Sequence, residues 1–256
     1  MDKLHISISA ERIFSLGPIP VSNSMLTSWI VSLVLIAGAV KVYFDLKAGR
    51  HSPLVFFSEL LIESLLGLIH SVTNNTKRAQ EFLPLIATFF LFIIFGNWIG
   101  LLPGVGSIGE PPIFRGATAD LNTTLSLALV SVGATQWFGL KHLKLNYLKK
   151  FFNFSGPIEF FVGLMEFISE LAKILSFAFR LVGNVFAGEV LLSVIAFLLP
   201  FIGPIPFLGL EIFIGFIQAL VFSLLTLVFL HLATLSHGDA ERSHGEEVIA
   251  HGSIGR

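Results

Sequence analysis

The sequence predicts an all-α integral membrane protein, and two observations carry that expectation. Of 256 residues, 54% are hydrophobic and only 13% are Asp, Glu, Lys or Arg, with a mean hydropathy of +0.84. A water-soluble domain of this size needs roughly a quarter of its residues charged to cover its surface, so this chain has about half the usual supply. The apolar residues are also gathered into long runs between charges, and a helix needs about 20 of them to cross the hydrocarbon.

Five such runs predict five transmembrane helices. Residues 25–46 form the first, apolar as far as Phe44 across a single Lys41, and residues 83–102 are uncharged and end at Pro103. Residues 121–140 are also uncharged. Residues 158–199 are interrupted by Glu166, Glu170, Lys173, Arg180 and Glu189, and residues 205–235 carry Glu211, Gln218 and His231. Residues 54–72 differ: Leu54, Phe57, Leu61, Leu65, Leu68 and Val72 recur at helical spacing with Glu59, Glu63 and His70 between them. That pattern predicts an amphipathic helix on the cytoplasmic surface.

Orientation follows from the Lys and Arg content of the short loops. Lys47, Arg50, Lys77 and Arg78 lie between the first two spans, and Lys141, Lys144, Lys149 and Lys150 between the third and fourth, whereas residues 103–120 hold only Arg115. The two basic loops are therefore expected in the cytoplasm. Five spans then place residues 1–24 in the periplasm and the tail, residues 237–256, in the cytoplasm. A crossing by residues 54–72 would put the basic loops on opposite sides. No apolar core with a small-residue cleavage site opens the chain, so no cleavable signal is expected. The whole is one membrane domain surrounded by lipid, in the cell (inner) membrane.

The last two spans are abnormal. A continuous helix over 158–199 would run about 63 Å, roughly twice the hydrocarbon thickness. Ser155-Gly156-Pro157 reads as its N-cap and first turn, and Pro200, Pro204 and Pro206 separate it from the next helix. The pair is a long, steeply inclined hairpin. At about 100° per residue, Glu166, Ser169, Lys173, Ser176, Arg180, Asn184 and Ala187 fall within about 40° of one direction. Glu189 points the opposite way, while Glu211 and Gln218, seven apart, share a face. A central Arg costs about 2.5–3.5 kcal/mol to insert and marks a path for ions or solute. Arg180 could instead pair with Glu211; its opposed direction rules out Glu189. Lys173 is within reach of Glu166 and Glu170. Two carboxyl groups in a membrane bundle suit either internal hydrogen bonding or a proton relay.

Several function classes are excluded or disfavoured. A net charge of −1 offers no basic excess for nucleic acid, and the absence of Cys removes disulfide, thiolate and Cys-ligated metal chemistry. Gly104-Val-Gly106-Ser-Ile-Gly109 fits G-x-G-x-x-G but has no preceding strand, and no P-loop motif occurs, so no direct nucleotide binding is expected. His231, His237, His244 and His251 alternate with glycines in a polar tail, and no metal or other cofactor is assigned. Gly96-Asn-Trp-Ile-Gly100 fits G-x-x-x-G and predicts close packing.

The run Ser176-Phe-Ala-Phe-Arg180-Leu-Val-Gly-Asn184-Val-Phe-Ala-Gly-Glu189 resembles the signature of subunit a of the rotary, F-type ATP synthase. Asp120-Leu-Asn122-Thr-Thr-Leu-Ser resembles the start of that family's internal transmembrane hairpin, and Gln218-Ala-Leu-Val-Phe-Ser-Leu-Leu-Thr its last helix. The resemblance implies a non-catalytic proton-channel stator whose partners are the c-subunit ring, the b-subunit peripheral stalk and other ATP synthase subunits. Two aqueous half-channels would carry protons to and from a ring carboxylate, and that translocation would drive ATP synthesis. Arg180 matches the essential arginine, which draws ring carboxylates into their ionised form and blocks leakage. Asn184 and Gln218 match positions flanking it, with Gln218 able to hold the guanidinium. Glu189 and Glu211 match the pair lining the periplasmic half-channel; some members have His at the second position. Asp120 and Asn122 would extend that entrance, and Ser176 would line the exit path. The rivals from other classes are a secondary transporter binding an anionic solute at Arg180 and a membrane scaffold without an ion path. Internal repeats and helices broken at the midplane, usual in transporters, are absent from the sequence.

Overall fold

The computed structural model describes residues 12–16, 19–102, 115–143, 147, 156–200 and 202–235. Six long helices make up the described architecture: α1 Asn23–Lys47, α2 Pro53–Thr73, α3 Thr76–Gly100, α4 Leu121–Leu143, α5 Pro157–Leu198 and α6 Pro204–Thr234. Each overlaps an expected element, with most ends shifted by a few residues and the start of α3 by seven, from 83 to 76. The largest shift is at α3, whose N-cap Asn75 accepts from the amides of Lys77 and Arg78, so a polar first turn precedes the apolar run. The expected tail, the G-x-G-x-x-G run and Ser155 lie outside the described residues. The N-cap of α5 is Gly156, with Pro157 supplying the pre-set φ of the first turn.

A small antiparallel ribbon, β1 Arg12–Leu16 and β2 Ile19–Ser22, precedes α1 and was not expected. The available signal was Gly17-Pro18 between two short apolar runs. Ser22 then serves twice: its hydroxyl caps α1 at the amide of Met25 and donates to Asp120 at 3.2 Å.

α3 and α6 form the central pair, and α4 packs against both α5 and α6. Two apolar clusters fill the bundle, one around Phe89, Ile93, Phe177, Leu181 and Phe222, the other around Ile69, Phe82, Ile86 and Leu227. Lipid tails are as apolar as these side chains, so close packing and interhelical hydrogen bonds, more than burial from water, hold the helices together. One such bond joins Ser131 of α4 to Thr226 of α6 at 2.8 Å in a fully buried setting, a contact worth about 0.6 kcal/mol on average in membranes. The buried residues of α1 all lie in its N-terminal part, at Asn23, Ser24, Thr27 and Val31, while near its other end Asp45 accepts from the Ser52 hydroxyl at 3.0 Å.

By length and apolarity five helices qualify as spans, but they are α1, α2, α3, α5 and α6. The sequence reading took α4 as a span and α2 as interfacial. The physical reason lies in which face is polar. Thr124, Ser131 and Thr135 lower the apolarity of α4 yet are buried against neighbouring helices. On α2, by contrast, Glu59 and Glu63 are exposed.

The G-x-x-x-G of α3 does permit a close approach, although its partner is not another long helix. It receives the short 3-10 turn Ala117–Ala119 and the residue before it. A Cβ on Gly100 would lie 2.8 Å from the Cα of Gly116, and one on Gly96 would lie 3.1 Å from the Cβ of Ala117. Beside them the Thr118 hydroxyl donates to the side-chain oxygen of Asn97. Gly100→Ala should therefore cost about 1–3 kcal/mol by overpacking against backbone that cannot yield. The check is a lower temperature of subunit loss from the solubilised protein, and an unchanged midpoint would contradict this packing.

Candidate functional site: a polar cavity beside an exposed arginine

α5 is packed on one side only. Ser169, Ser176, Gly183, Asn184 and Ala187 are exposed, together with Leu164, Ile168, Leu175, Phe179 and Leu191. The polar and small-residue stripe expected from helical geometry thus lies along the outer surface of the bundle. A Cβ added to Gly183 would meet nothing within 4 Å. Lys173 turns to Glu170 at 2.8 Å, settling which acid it takes, and stacks 4.7 Å over the Phe229 ring.

Arg180 stands in this stripe, half-buried. Its guanidinium donates to the Ser176 hydroxyl one turn back at 3.5 Å and lies 5.9 Å from the centre of the Phe177 ring. Among the described residues no carboxylate is within ion-pair distance of it. The reading of Arg180 as half of an internal ion pair with Glu189 or Glu211 is therefore not what the fold contains.

Behind Arg180, one turn along α5, Asn184 donates to the side-chain oxygen of Gln218 on α6 at 2.5 Å. Gln218 is buried, and its amide nitrogen has no partner among the described residues. The expected bond from the guanidinium to Gln218 is not formed here: Arg180 donates to Ser176, while the Gln218 oxygen accepts from Asn184. The bond ties the two long helices together beside the arginine.

Asn184 and Gln218 also form the inner end of a polar cavity of about 70 Å³ between α3, α5 and α6. Glu189, Glu211, Asn97, Gly100, Gly116 and Gly215 complete its polar and small lining, and the space suits a few water molecules. The opposite direction of Glu189 relative to Arg180 is what brings it here. Glu211 folds so closely onto α5 that a Cβ on Gly188 would fall inside its carboxylate. The four sequence-predicted residues Asn184, Gln218, Glu189 and Glu211 thus meet in one place, two from each long helix.

Asp120 and Asn122 do not line this cavity. Asp120 is buried and acts as a local cap, accepting from the backbone amide of Asn122 at 3.1 Å, its side-chain amide at 3.3 Å and the Ser22 hydroxyl at 3.2 Å. Asn122 is exposed. A larger cavity of about 360 Å³ lies between α2, α3 and α6, walled by Phe57, Leu61, Phe90, Trp98 and Leu220 among others. Its lining is apolar but for Ser64 and holds no acid or base, unlike the smaller cavity.

Sequence reasoning used Arg115 only for topology, yet it reaches the site. Its Nε lies 3.0 and 3.1 Å from the two oxygens of Glu189 and its terminal nitrogen 2.5 Å from one of them. The signal in the sequence was its solitude, as the one basic residue between positions 103 and 120. At the other end of the bundle, Lys141 and His142 of α4 meet Glu81 of α3, the His142 contact being 3.3 Å. Tyr147, between α4 and α5, donates to Gln136 at 2.8 Å. Burial, and then the charges of Glu170 and Glu166, push its hydroxyl up to about 12, so it stays a neutral donor.

The sequence profile described as ATP synthase A chain matches residues 25–231. Proteins named ATP synthase subunit a are similar over most of their length. That of Moorella thermoacetica is 34% identical over 232 residues, covering 89% of this chain and 96% of the relative. That of Syntrophobacter fumaroxidans is 33% identical over 230 residues, 88% and 90% of the two chains. That of Campylobacter jejuni is 36% identical over 180 residues, 69% and 75%. A profile match over most of the chain, together with full-length similarity in this range, means that the chain belongs to the ATP synthase A chain family.

Proposed function

We propose that this chain, a non-catalytic subunit of a multisubunit ATP synthase, carries protons past a fixed arginine lying against the rotating c-subunit ring. The observation that carries the proposal is Arg180, a guanidinium on an unpacked helix face with no carboxylate within ion-pair distance among the described residues. A guanidinium keeps its charge at any physiological pH, and in a membrane it needs an anion. A carboxylate brought past by the ring supplies one. Meeting Arg180 favours the ionised carboxylate, so the proton leaves on one side, and the fixed positive charge opposes direct passage of a proton between the two sides.

The cavity containing Glu211 and Glu189 is then the inner part of the periplasmic half-channel. Water protonates a carboxyl group there, and the proton passes along the Gln218 and Asn184 side to a ring carboxylate. Ser176, one turn from Arg180 toward the other end, lines the exit. Asp120 and Asn122 act at the outer entrance through capping of α4 rather than as walls of the cavity. In this reading α4 crosses the membrane and α2 lies on the cytoplasmic surface, which keeps both basic loops on one side. The N-terminus is periplasmic and the C-terminal tail cytoplasmic. The b-subunit stalk holds the chain against rotation.

Because the chain contains no Cys, a single introduced thiol reports its neighbours cleanly. Ser176→Cys and Gly183→Cys, on the exposed face of α5, should each crosslink to a cysteine placed on the outer helix of the c-subunit. Leu33→Cys, 67% exposed on α1, should not. Equal crosslinking from all three, or none from α5, would remove the ring from the proposal. The transporter reading requires a solute cavity at Arg180, whereas the guanidinium faces outward.

A further inference from the structure

We propose that Arg115 is a positioning residue of the outer proton path: as counter-ion of Glu189 it leaves one uncompensated carboxylate, Glu211, to pass protons one at a time. The inference rests on the proposed function, since it assigns roles within the same half-channel.

Four observations support it. The Arg115 side chain is only 13% exposed, and Glu189 is 32% exposed. Its two nitrogens grip both oxygens of Glu189 from 2.5 to 3.1 Å, the two-point geometry that fixes a carboxylate's orientation as well as its charge. The approach is built into the fold, because the backbone of Gly116, the next residue, is seated against Gly100, where a Cβ would have no room. The G-x-x-x-G of α3 thus delivers a cation to a carboxylate on α5. Glu211, lining the same cavity, has no cation within ion-pair distance among the described residues.

The electrostatic consequence is specific. Two uncompensated carboxylates on a cavity of about 70 Å³ make a site for a hard divalent cation, which prefers carboxylate and water oxygens. Such an ion would lodge where the proton must pass. Arg115 prevents this twice over, by occupying the oxygens of Glu189 and by repelling the cation. With Arg115 in place the set of three charged positions takes up one proton on Glu211 and releases it inward.

The test uses the whole membrane sector reconstituted in liposomes, with proton uptake driven by a potassium diffusion potential and Mn²⁺ as the probe. In Arg115→Gln, conduction should fall, and the Mn²⁺ concentration giving half-inhibition should drop by at least about tenfold, as expected for an exposed carboxylate pair. Adding Glu189→Gln to that variant should abolish the new Mn²⁺ sensitivity. Arg115→Lys keeps the charge and loses the two-point grip, so it should retain wild-type Mn²⁺ tolerance with reduced conduction.

Arg115→Gln with wild-type conduction and wild-type Mn²⁺ tolerance overturns the inference, as does Mn²⁺ sensitivity that survives Glu189→Gln. Should Arg115→Gln fail to assemble, an Arg115→Lys sector as Mn²⁺-sensitive as that expected of the neutral variant, or conducting as the wild type does, overturns it independently. If Arg180→Ala also pumps normally, the proposed function itself has failed; if Arg180→Ala is inactive while Arg115 variants behave as wild type, only the role of Arg115 is lost.

Discussion

Arg180→Ala should abolish ATP-driven proton pumping in vesicles containing the whole complex, by more than about a hundredfold, while the subunits still assemble. The magnitude follows from what is removed. A preorganised charged donor aimed at a site where negative charge develops is worth on the order of 10²–10³ in rate in a water-excluded setting, and Arg180 is half-buried with no acid within ion-pair distance among the described residues. Assembly should survive because the guanidinium makes one long bond, 3.5 Å to Ser176, and one ring contact at 5.9 Å. Removing it also relieves the cost of inserting a central charge, about 2.5–3.5 kcal/mol. The measurement is quenching of a pH-sensitive dye on ATP addition, read beside the subunit ratio. Normal quenching would show that Arg180 is not the stator charge. Arg180→Lys should recover little, since an ammonium surrenders its proton far more readily when desolvated.

Glu211→Gln should lower passive proton conduction on the order of a hundredfold, the usual contribution of a positioned acid–base group. The substitution keeps the shape and most of the hydrogen-bonding capacity of the side chain, and it sits in a cavity with room to accommodate an amide. What it loses is the ability to accept and release a proton. Glu189 cannot take over, because both of its oxygens are held by Arg115. Conduction is measured in liposomes under an imposed potential, with the thermal midpoint of the sector as a check on folding. Wild-type conduction in Glu211→Gln would show that the proton passes elsewhere, and Glu211 would then be a packing residue seated on Gly188.

How much of this was legible beforehand differs from element to element. Six helices could be placed, all but the start of α3 to within a few residues, because each is a run of apolar residues bounded by charges, Pro or Gly, and in a bilayer every backbone group of such a run must be satisfied internally. The outward stripe on α5 was legible because 100° per residue is a local property of the helix. The opposed directions of Arg180 and Glu189 were legible for the same reason. The status of α4 and α2 was harder: apolarity averaged over a window does not record which face is polar, and α4 hides Ser131 and Thr135 against its neighbours. The role of Gly96 and Gly100 was half legible. The motif announces close approach, but only the fold identifies the short turn at residues 117–119 as what comes close.

Taken alone, the sequence determined the class of the protein, the helices, the unusual length of the last two and the charged positions within them. These depend on composition and on spacing along one chain, which are local quantities. The tertiary structure decided the pairings: Asn184 with Gln218, Lys173 with Glu170, Glu211 against Gly188, and Arg115 on Glu189 across 74 positions of sequence. Periodicity gives each side chain a direction about its own helix axis and says nothing of which helix lies in that direction or how near it comes. Close approach made that choice, through the contact of Gly100 with Gly116, and with it the choice of which carboxylate in the cavity keeps a counter-ion.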